Sequence, residues 1–423
     1  MVIKTVDIQN YHGIEKLHVD FKEGINLLIG NNGAGKTSLL NALAVMLREP
    51  LKMIQGLSSS ALSNDDAYQT TSRIGDAVVQ TEAHYPIKIV GKIAWNAKDY
   101  QSGQEKASES VSPGSLNYDV ASAFNNLIGD RETLFPILCY FPAQRGKLKN
   151  EKESSLQISA GEPQRWQGYR NAFSGAQSLK TIQQWCFQME FAEFQKKQEI
   201  REYAEFQRIV SRFCLIIDEK AKNPKVSFSS EKGSLVYFDG KDEKTLAQLS
   251  DGYQAILSMI IELAYRAVLL NPARQNLLHT IDGVVLIDEI EMHLHPAWQW
   301  KMLDALRQTF PKVQFIIATH SPIILSSAND AALFLMKSPD EVKELSNVYG
   351  YSVDDVLALP QGTLSQPARI EEYYNRAERI LETGSEEELS KLIKNAKEEL
   401  RNAPAVLKSF LDFIEVNKWL KDA

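Results

Sequence analysis

The run Gly30-Asn31-Asn32-Gly33-Ala34-Gly35-Lys36-Thr37 constrains this chain more than any other stretch, because it fits GxxxxGK[ST] at every fixed position. Its flanks narrow the fold further. Ile25–Ile29 ahead of it is a short uncharged apolar run, as a buried parallel strand reads. Behind it, Leu39, Leu40, Leu43, Met46 and Leu47 fall at helical spacing. Between strand and helix, the glycines let the backbone bend until successive N–H groups face a phosphate. The opening helix adds its positive end to the same anion site. The spacing therefore predicts a nucleotide cradle made by Asn31, Asn32, Gly33, Ala34, Gly35 and Ser38, with Lys36 reaching the β- and γ-phosphates and Thr37 ligating Mg²⁺.

The chain's 423 residues exceed what one core usually fills, so an elaborated domain or two domains is expected. Hydrophobic residues at 44% and charged residues at 24% fall in the globular range. No apolar run approaches the ~20 residues that span a bilayer, and the first residues do not read as a signal peptide. Cys139, Cys186 and Cys214 stand far apart without metal-ligand spacing. They predict free thiols in a reducing cytoplasm, with no membrane partner. A net charge of −7 argues against a uniformly basic nucleic-acid binder, though not against a local basic groove.

Taken in order, residues 2–10 and Leu17–Phe21 alternate in polarity and read as two strands feeding the phosphate loop. Residues 56–75 are rich in Ser, Asn, Asp and Thr and read as a surface loop, Ala77–Trp95 as one or two strands, and 97–118 as polar and flexible. Leu134–Phe141 is an apolar run that ends at Pro142-Ala143-Gln144-Arg145. Gln144 there either contacts Mg²⁺ and the attacking water or caps a buried strand, and Arg145 is either a phosphate contact or a surface residue. Ser178–Lys222 reads as helical, with Lys197, Arg201, Arg208 and Arg212 along one stripe. Glu205 lies within that stripe, which favours a salt-bridged face over a DNA path.

Farther on, Leu249-Ser250-Asp251-Gly252 opens an apolar helix, with Ser250 as its N-cap and the free N–H groups behind it as a second anion site. Val284–Ile287 is a buried strand ending in Asp288-Glu289. An acid at such a strand end, beside a phosphate loop, holds Mg²⁺, and the next acid polarises the attacking water. His293 and His295 stand at i, i+2 with no third ligand near, so they read as loop structure rather than zinc ligands. Trp298–Phe310 is an amphipathic helix, Val313–Ala318 a buried strand ending in Thr319-His320-Ser321, and Ala332–Met336 a last short strand. His320 is positioned to donate to a γ-phosphate. The final ~85 residues read as charged amphipathic helices that suit a partner-facing or dimer-facing cap. Asp354-Asp355 and Glu371-Glu372 lack the apolar strand that a nuclease cluster needs, so no nuclease is assigned.

Four segments now stand in one order: Gly30–Thr37, Leu249–Gln254, Leu286–Glu289 and Thr319-His320-Ser321. This order resembles the ABC-type ATPase heads of the RecF, SMC and OLD-like group. DEIEMHLHP and ATHSPIIL look like the OLD-like AAA ATPases of bacterial defence systems, such as the Septu and PARIS ATPase subunits. The resemblance covers residues 1–338 in outline and is tight only at the four motifs. It implies an α/β, ABC-type P-loop NTPase head with a mixed central sheet, a helical insertion and a helical C-terminal region. The lobes would be 1–145 and 226–338, the insertion 146–225 and the helical end 339–423. It further implies ATP and Mg²⁺ as cofactors and hydrolysis of ATP to ADP and phosphate. Catalytic Glu289, switch His320 and Lys36 act in that scheme, with Asn31–Ser38, Ser250 and Gly252 on nucleotide and Thr37, Gln144 and Asp288 on metal. Asp251 departs from the LSGG or LSSG of the family, and an acid near a γ-phosphate is repulsive unless it points away. The resemblance implies a homodimer or higher homo-oligomer closed over ATP. OLD nucleases carry a TOPRIM domain after the THSP strand, and its absence from this sequence points to a nuclease or toxin effector on another polypeptide. A RecF-like DNA-repair ATPase and an ATP-gated scaffold with little hydrolysis are the alternative readings.

Overall fold

The computed structural model describes residues 1–57, 61–74, 78–143, 164–173, 179–272, 274–345, 368–383 and 386–399, together with 407, 410, 411, 413 and 414. The chain divides into two compact units, Met1–Tyr351 and Ser352–Ala423.

In the first unit a six-stranded sheet runs in the spatial order Ile137–Phe141, Asp282–Ile287, Lys312–Ala318, Ile25–Ile29, Ala332–Ser338, Glu341–Leu345. Neighbours are parallel except the last pair, which is antiparallel, so the sheet is mixed as expected. Ile25–Ile29, Ile137–Phe141 and residues 283–287 are uncharged and buried throughout, the condition under which apolar runs without alternation form parallel strands. A second sheet is antiparallel throughout, in the order Ile14–Asp20, Val2–Tyr11, Ile87–Trp95, Lys98–Lys106, Gly114–Ser115.

Helix Lys36–Arg48 is the keystone of the two sheets. Its Leu39, Leu40, Leu43, Met46 and Leu47 are fully buried. They share one apolar cluster with Ile3, Val6, Ile89 and Ile93 of the antiparallel sheet and with Leu28, Leu286, Ile316 and Phe334 of the mixed sheet. Each such aliphatic side chain contributes roughly 1.5–3 kcal/mol on burial. The helix that carries the phosphate loop is thus clamped by core on two sides, and the loop inherits a fixed position.

The structure departs from several sequence-based expectations. Within 56–75, Gln69–Ile74 is a strand paired with Val78–Ala83, not loop. Within 97–118, Lys98–Lys106 is a strand paired along its length with Ile87–Trp95. Its polar residues misled because three of them are interior: Ser102, Gln104 and Lys106 are buried and bonded, with Gln104 donating to Glu49 Oε1 at 2.6 Å and accepting from Leu62 N at 3.0 Å. The stretch 178–222 is two helices, Leu179–Lys196 and Arg201–Ile217, broken where Lys197 takes a left-handed φ of 52°. In its basic stripe Arg208 pairs with Glu205 and Arg212 donates to Gln308 at 3.0 Å. The expected salt-bridged face is met at the Arg208–Glu205 pair, but Glu205 is buried rather than solvated, and its second oxygen accepts from Leu277 N at 3.2 Å. Ala332–Ser338 is not the last strand, since Glu341–Leu345 pairs back on it. Helix Asp251–Leu270 is long and apolar enough on average to cross a bilayer, but Glu262 and Arg266 interrupt its apolar run and most of it is buried in this core.

The second unit contains helices Ala368–Thr383 and Glu386–Glu399, and Tyr373, Ala377, Leu389, Leu392, Ala396, Phe410 and Ile414 form a small core of its own. Asp354-Asp355 lie outside the described residues.

Candidate active site

In open α/β sheets, ligands bind beyond the carboxyl ends of the strands. Four parallel strands end side by side here, and three of them deliver a segment singled out by its sequence. Ile25–Ile29 delivers the phosphate loop. Gly33 and Gly35 adopt φ of 81° and 93°, a region that side chains resist. At Gly30 (φ 148°) an added Cβ would lie 2.3 Å from Met336 O, so only glycine fits between the loop and the neighbouring strand. Helix Lys36–Arg48 opens directly from Gly35, which has no side chain to cap it, and its first N–H groups face the cradle.

Lys36 is 6% exposed, and its Nζ donates to Gly30 O at 2.8 Å and Asn31 O at 3.0 Å. Burial pulls its ammonium below the ordinary lysine range, while the charges of Asp288, Glu291 and Glu289 oppose that shift. Asn31, Asn32 and Gly33 are exposed and Ser38 is half-buried at the helix start. Thr37 Oγ1 donates to Asp288 Oδ2 at 2.8 Å across 251 positions of sequence. Asp288 is only 3% exposed, and its N–H donates to Phe141 O at 2.8 Å, fastening it to the strand Ile137–Phe141. A hydroxyl and a buried carboxylate side by side are hard oxygen donors, and they fit Mg²⁺ rather than a thiol- or imidazole-seeking metal. Gln144 and Arg145 lie outside the described residues.

Glu289 is half-buried and takes φ of 49°, a left-handed conformation that is uncommon for a residue with a side chain. The chain turns there, closed by Met292 N donating to Glu289 O at 3.0 Å. Beyond the next strand, Thr319 N donates to Leu28 O at 3.1 Å, which ties the switch segment to the phosphate-loop strand. Burial and then the nearby Lys36 charge depress the His320 imidazole pKa, against opposing pulls from Glu291, Glu289 and Asp288. His320 is therefore neutral at pH 7 and retains one N–H to donate.

One residue at this face was missed in the sequence. Glu291 accepts from Thr319 Oγ1 at 2.7 Å and from His320 N at 2.6 Å. Its signal was present, a third acid in DEIE two residues past the catalytic candidate, but it read as part of a turn.

The signature segment lies at the head of helix Asp251–Leu270. Ser250 occupies the N-cap position as predicted, yet it is exposed and its side chain makes no capping bond. Asp251 is exposed in the first turn. Gly252 is buried, and a Cβ there would stand 2.1 Å from His293 O. His293 itself has φ of 65°, and His295 Nδ1 accepts from Ala297 N at 3.2 Å to cap helix Pro296–Thr309. Both histidines serve the turn between strand and helix, as their i, i+2 spacing implied.

Residues 5–222 match the family described as AAA domain. The chain belongs to the AAA-domain family. A second AAA-domain profile, whose description names the AbiEii toxin and a Type IV TA system, matches residues 190–326. This AAA-domain protein is 24% identical over 424 residues to the Vibrio cholerae protein named "Retron Vc95 probable ATPase", across 88% of this chain and 81% of that one. It is 25% identical over 375 residues to Septu protein PtuA of Bacillus thuringiensis, across 84% and 83% of the two chains. Among solved structures, the SMC head domain from Thermotoga maritima aligns with a TM-score of 0.45 at 10% identity, covering 82% of this chain and all of that one. This AAA-domain protein is an ATPase with an α/β P-loop fold built on a mixed sheet.

Proposed function

We propose that this ATPase closes as a homodimer, or a higher homo-oligomer, over two ATP molecules, and that closure regulates a separate nuclease or toxin effector in antiviral defence in the cytoplasm. Ser250 carries the reading. It heads a 20-residue helix, stands exposed, and does not spend its hydroxyl on capping that helix. A serine at an N-cap normally bonds its own helix, which stabilises by about 1 kcal/mol. An uncapped, exposed helix head is instead suited to an anion supplied from outside, such as the γ-phosphate held by the phosphate loop of a second copy.

Within each site, N–H groups of Asn31–Ser38 and the Lys36 ammonium hold the β- and γ-phosphates. Thr37 and Asp288 would hold Mg²⁺, with Gln144 as a further ligand, and the ion would supply charge neutralisation to the phosphates. Glu289 orients the attacking water and accepts its proton. Neutral His320 donates its N–H to the γ-phosphate. Asp251 must face away from that phosphate for the site to close. The effector role is supported by kinship with proteins named for retron and Septu systems.

The test is Glu289→Gln, which keeps shape and removes the proton acceptor. Turnover falls by ~10²–10⁴-fold while ATP is retained, and native mass measurement with ATP finds a stable dimer or larger closed form. Normal turnover sinks the role of Glu289, and a monomer with ATP bound sinks the closure. Purification alongside the product of a neighbouring gene, with and without ATP, tests the effector.

A further inference from the structure

We infer that Glu291 is a positioning residue for His320: it latches the switch segment to the turn that follows Asp288-Glu289. The inference deepens the proposed function, since it rests on His320 meeting the γ-phosphate.

The carboxylate of Glu291 is used at both oxygens. Oε1 accepts from His320 N at 2.6 Å and Oε2 accepts from Thr319 Oγ1 at 2.7 Å. Both are hydrogen bonds to an ionised acceptor, the stronger kind. The grip falls on the backbone of His320 itself, so it sets where the imidazole begins. Thr319 Oγ1 in turn accepts from Ser321 N at 3.0 Å, which makes the three switch residues one bonded unit.

A second arm supports the same segment from the next helix. Ser321 Oγ donates to Gln299 Oε1 at 2.6 Å, and Gln299 Nε2 donates to Leu294 O at 3.0 Å. Leu294 N donates back to Glu291 O at 2.9 Å. The loop of bonds therefore closes on itself: Glu291, switch segment, Gln299, Leu294, Glu291. The same turn carries His293, whose carbonyl abuts Gly252 beneath the uncapped head of the signature helix. The signature segment thus packs on the turn that holds the switch histidine. Glu289 lies two residues ahead of the latch, so the water-orienting acid and the phosphate-facing histidine share one support. Such preorganisation matters because small misplacement of a reacting group costs rate on the order of 10²-fold.

The experiment measures steady-state ATP hydrolysis of the full chain for Glu291→Ala, Glu291→Gln, His320→Ala and Glu291→Ala/His320→Ala. Glutamine keeps an oxygen for His320 N and an amide for Thr319 Oγ1. Expected results are a fall in kcat of roughly tenfold to a hundredfold for Glu291→Ala, little change in KM, substantial rescue in Glu291→Gln, and a double variant no slower than His320→Ala alone. Wild-type turnover in Glu291→Ala, with His320→Ala slow, overturns the latch and leaves the role of His320 standing. A double variant slower than His320→Ala by the full Glu291→Ala factor overturns it too. Wild-type turnover in His320→Ala overturns the role of His320 and the latch with it. If Glu291→Ala does not fold, Thr319→Val removes the other end of the latch; the same kcat loss is expected, and unchanged kcat overturns the inference.

Discussion

Two corners of the first unit carry the chemistry, and they are finished to different degrees. At the phosphate-loop corner the polar groups already have partners within the chain: Lys36 on two loop carbonyls, Thr37 on Asp288, Asp288 on Phe141 O. At the signature corner Ser250 is exposed and leaves its own helix uncapped. The first corner is a preformed anion and cation cradle whose charges compensate one another in a buried setting. The second is an anion-seeking helix head turned to solvent. A corner whose side chains are paired within its own chain is set before its ligand arrives, whereas an uncapped helix head waits for one.

Lys36→Ala should break the comparison at its stronger end. It deletes the buried cation that Asp288, Glu289 and Glu291 surround, and a site left with unbalanced acids repels a triphosphate. We expect ATP turnover to fall by at least ~10²–10³-fold and thermal stabilisation by ATP to disappear, read by turnover and by melting with and without nucleotide. Retained ATP stabilisation would mean the cradle binds without its lysine.

Ser250→Arg sharpens the difference between the corners. The exposed position accommodates the side chain, so folding and ATP binding by the single chain should persist. ATP-driven association should be lost, and turnover should drop by about 10²-fold, the order expected when one transition-state donor is removed. Light scattering with ATP and a binding titration check the two halves separately. Loss of ATP binding as well would mean that both corners belong to one site within one chain.

The smallest effect concerns His320. Its folded-state pKa lies below the usual 6.5 because of burial and the Lys36 charge. As pH falls past 6.5 the unfolded chain takes up this proton first, so the contribution of His320 to stability is complete above 6.5 and lost as pH falls below it toward the folded value. His320→Gln should flatten that part of the pH dependence, measured by urea unfolding at pH 7.5 and 5.5. An unchanged slope would show that the histidine is no more buried or charge-coupled than an exposed one.

Much of the site was legible because its chemistry is local. Glycines at 30, 33 and 35, lysine and threonine at the helix start, and paired acids after VVLI are demands of geometry that any chain must meet in adjacent positions. The fold was legible wherever apolar runs lacked alternation. What escaped was set by distant partners. The strand Lys98–Lys106 looked like polar loop, since Gln104 finds Glu49 and Leu62 N only after folding. The break at Lys197 was hidden by continuous helical composition.

The amino-acid order alone determined a strand-to-helix turn with the form of a phosphate loop, because such a loop is built from consecutive backbone N–H groups. Only the tertiary structure decided that Ser250 leaves its helix uncapped and that Glu291 reaches back to Thr319 and His320. The reason is that a capping residue and a bonding carboxylate are defined by where their neighbours come to rest, and those neighbours are brought by other strands.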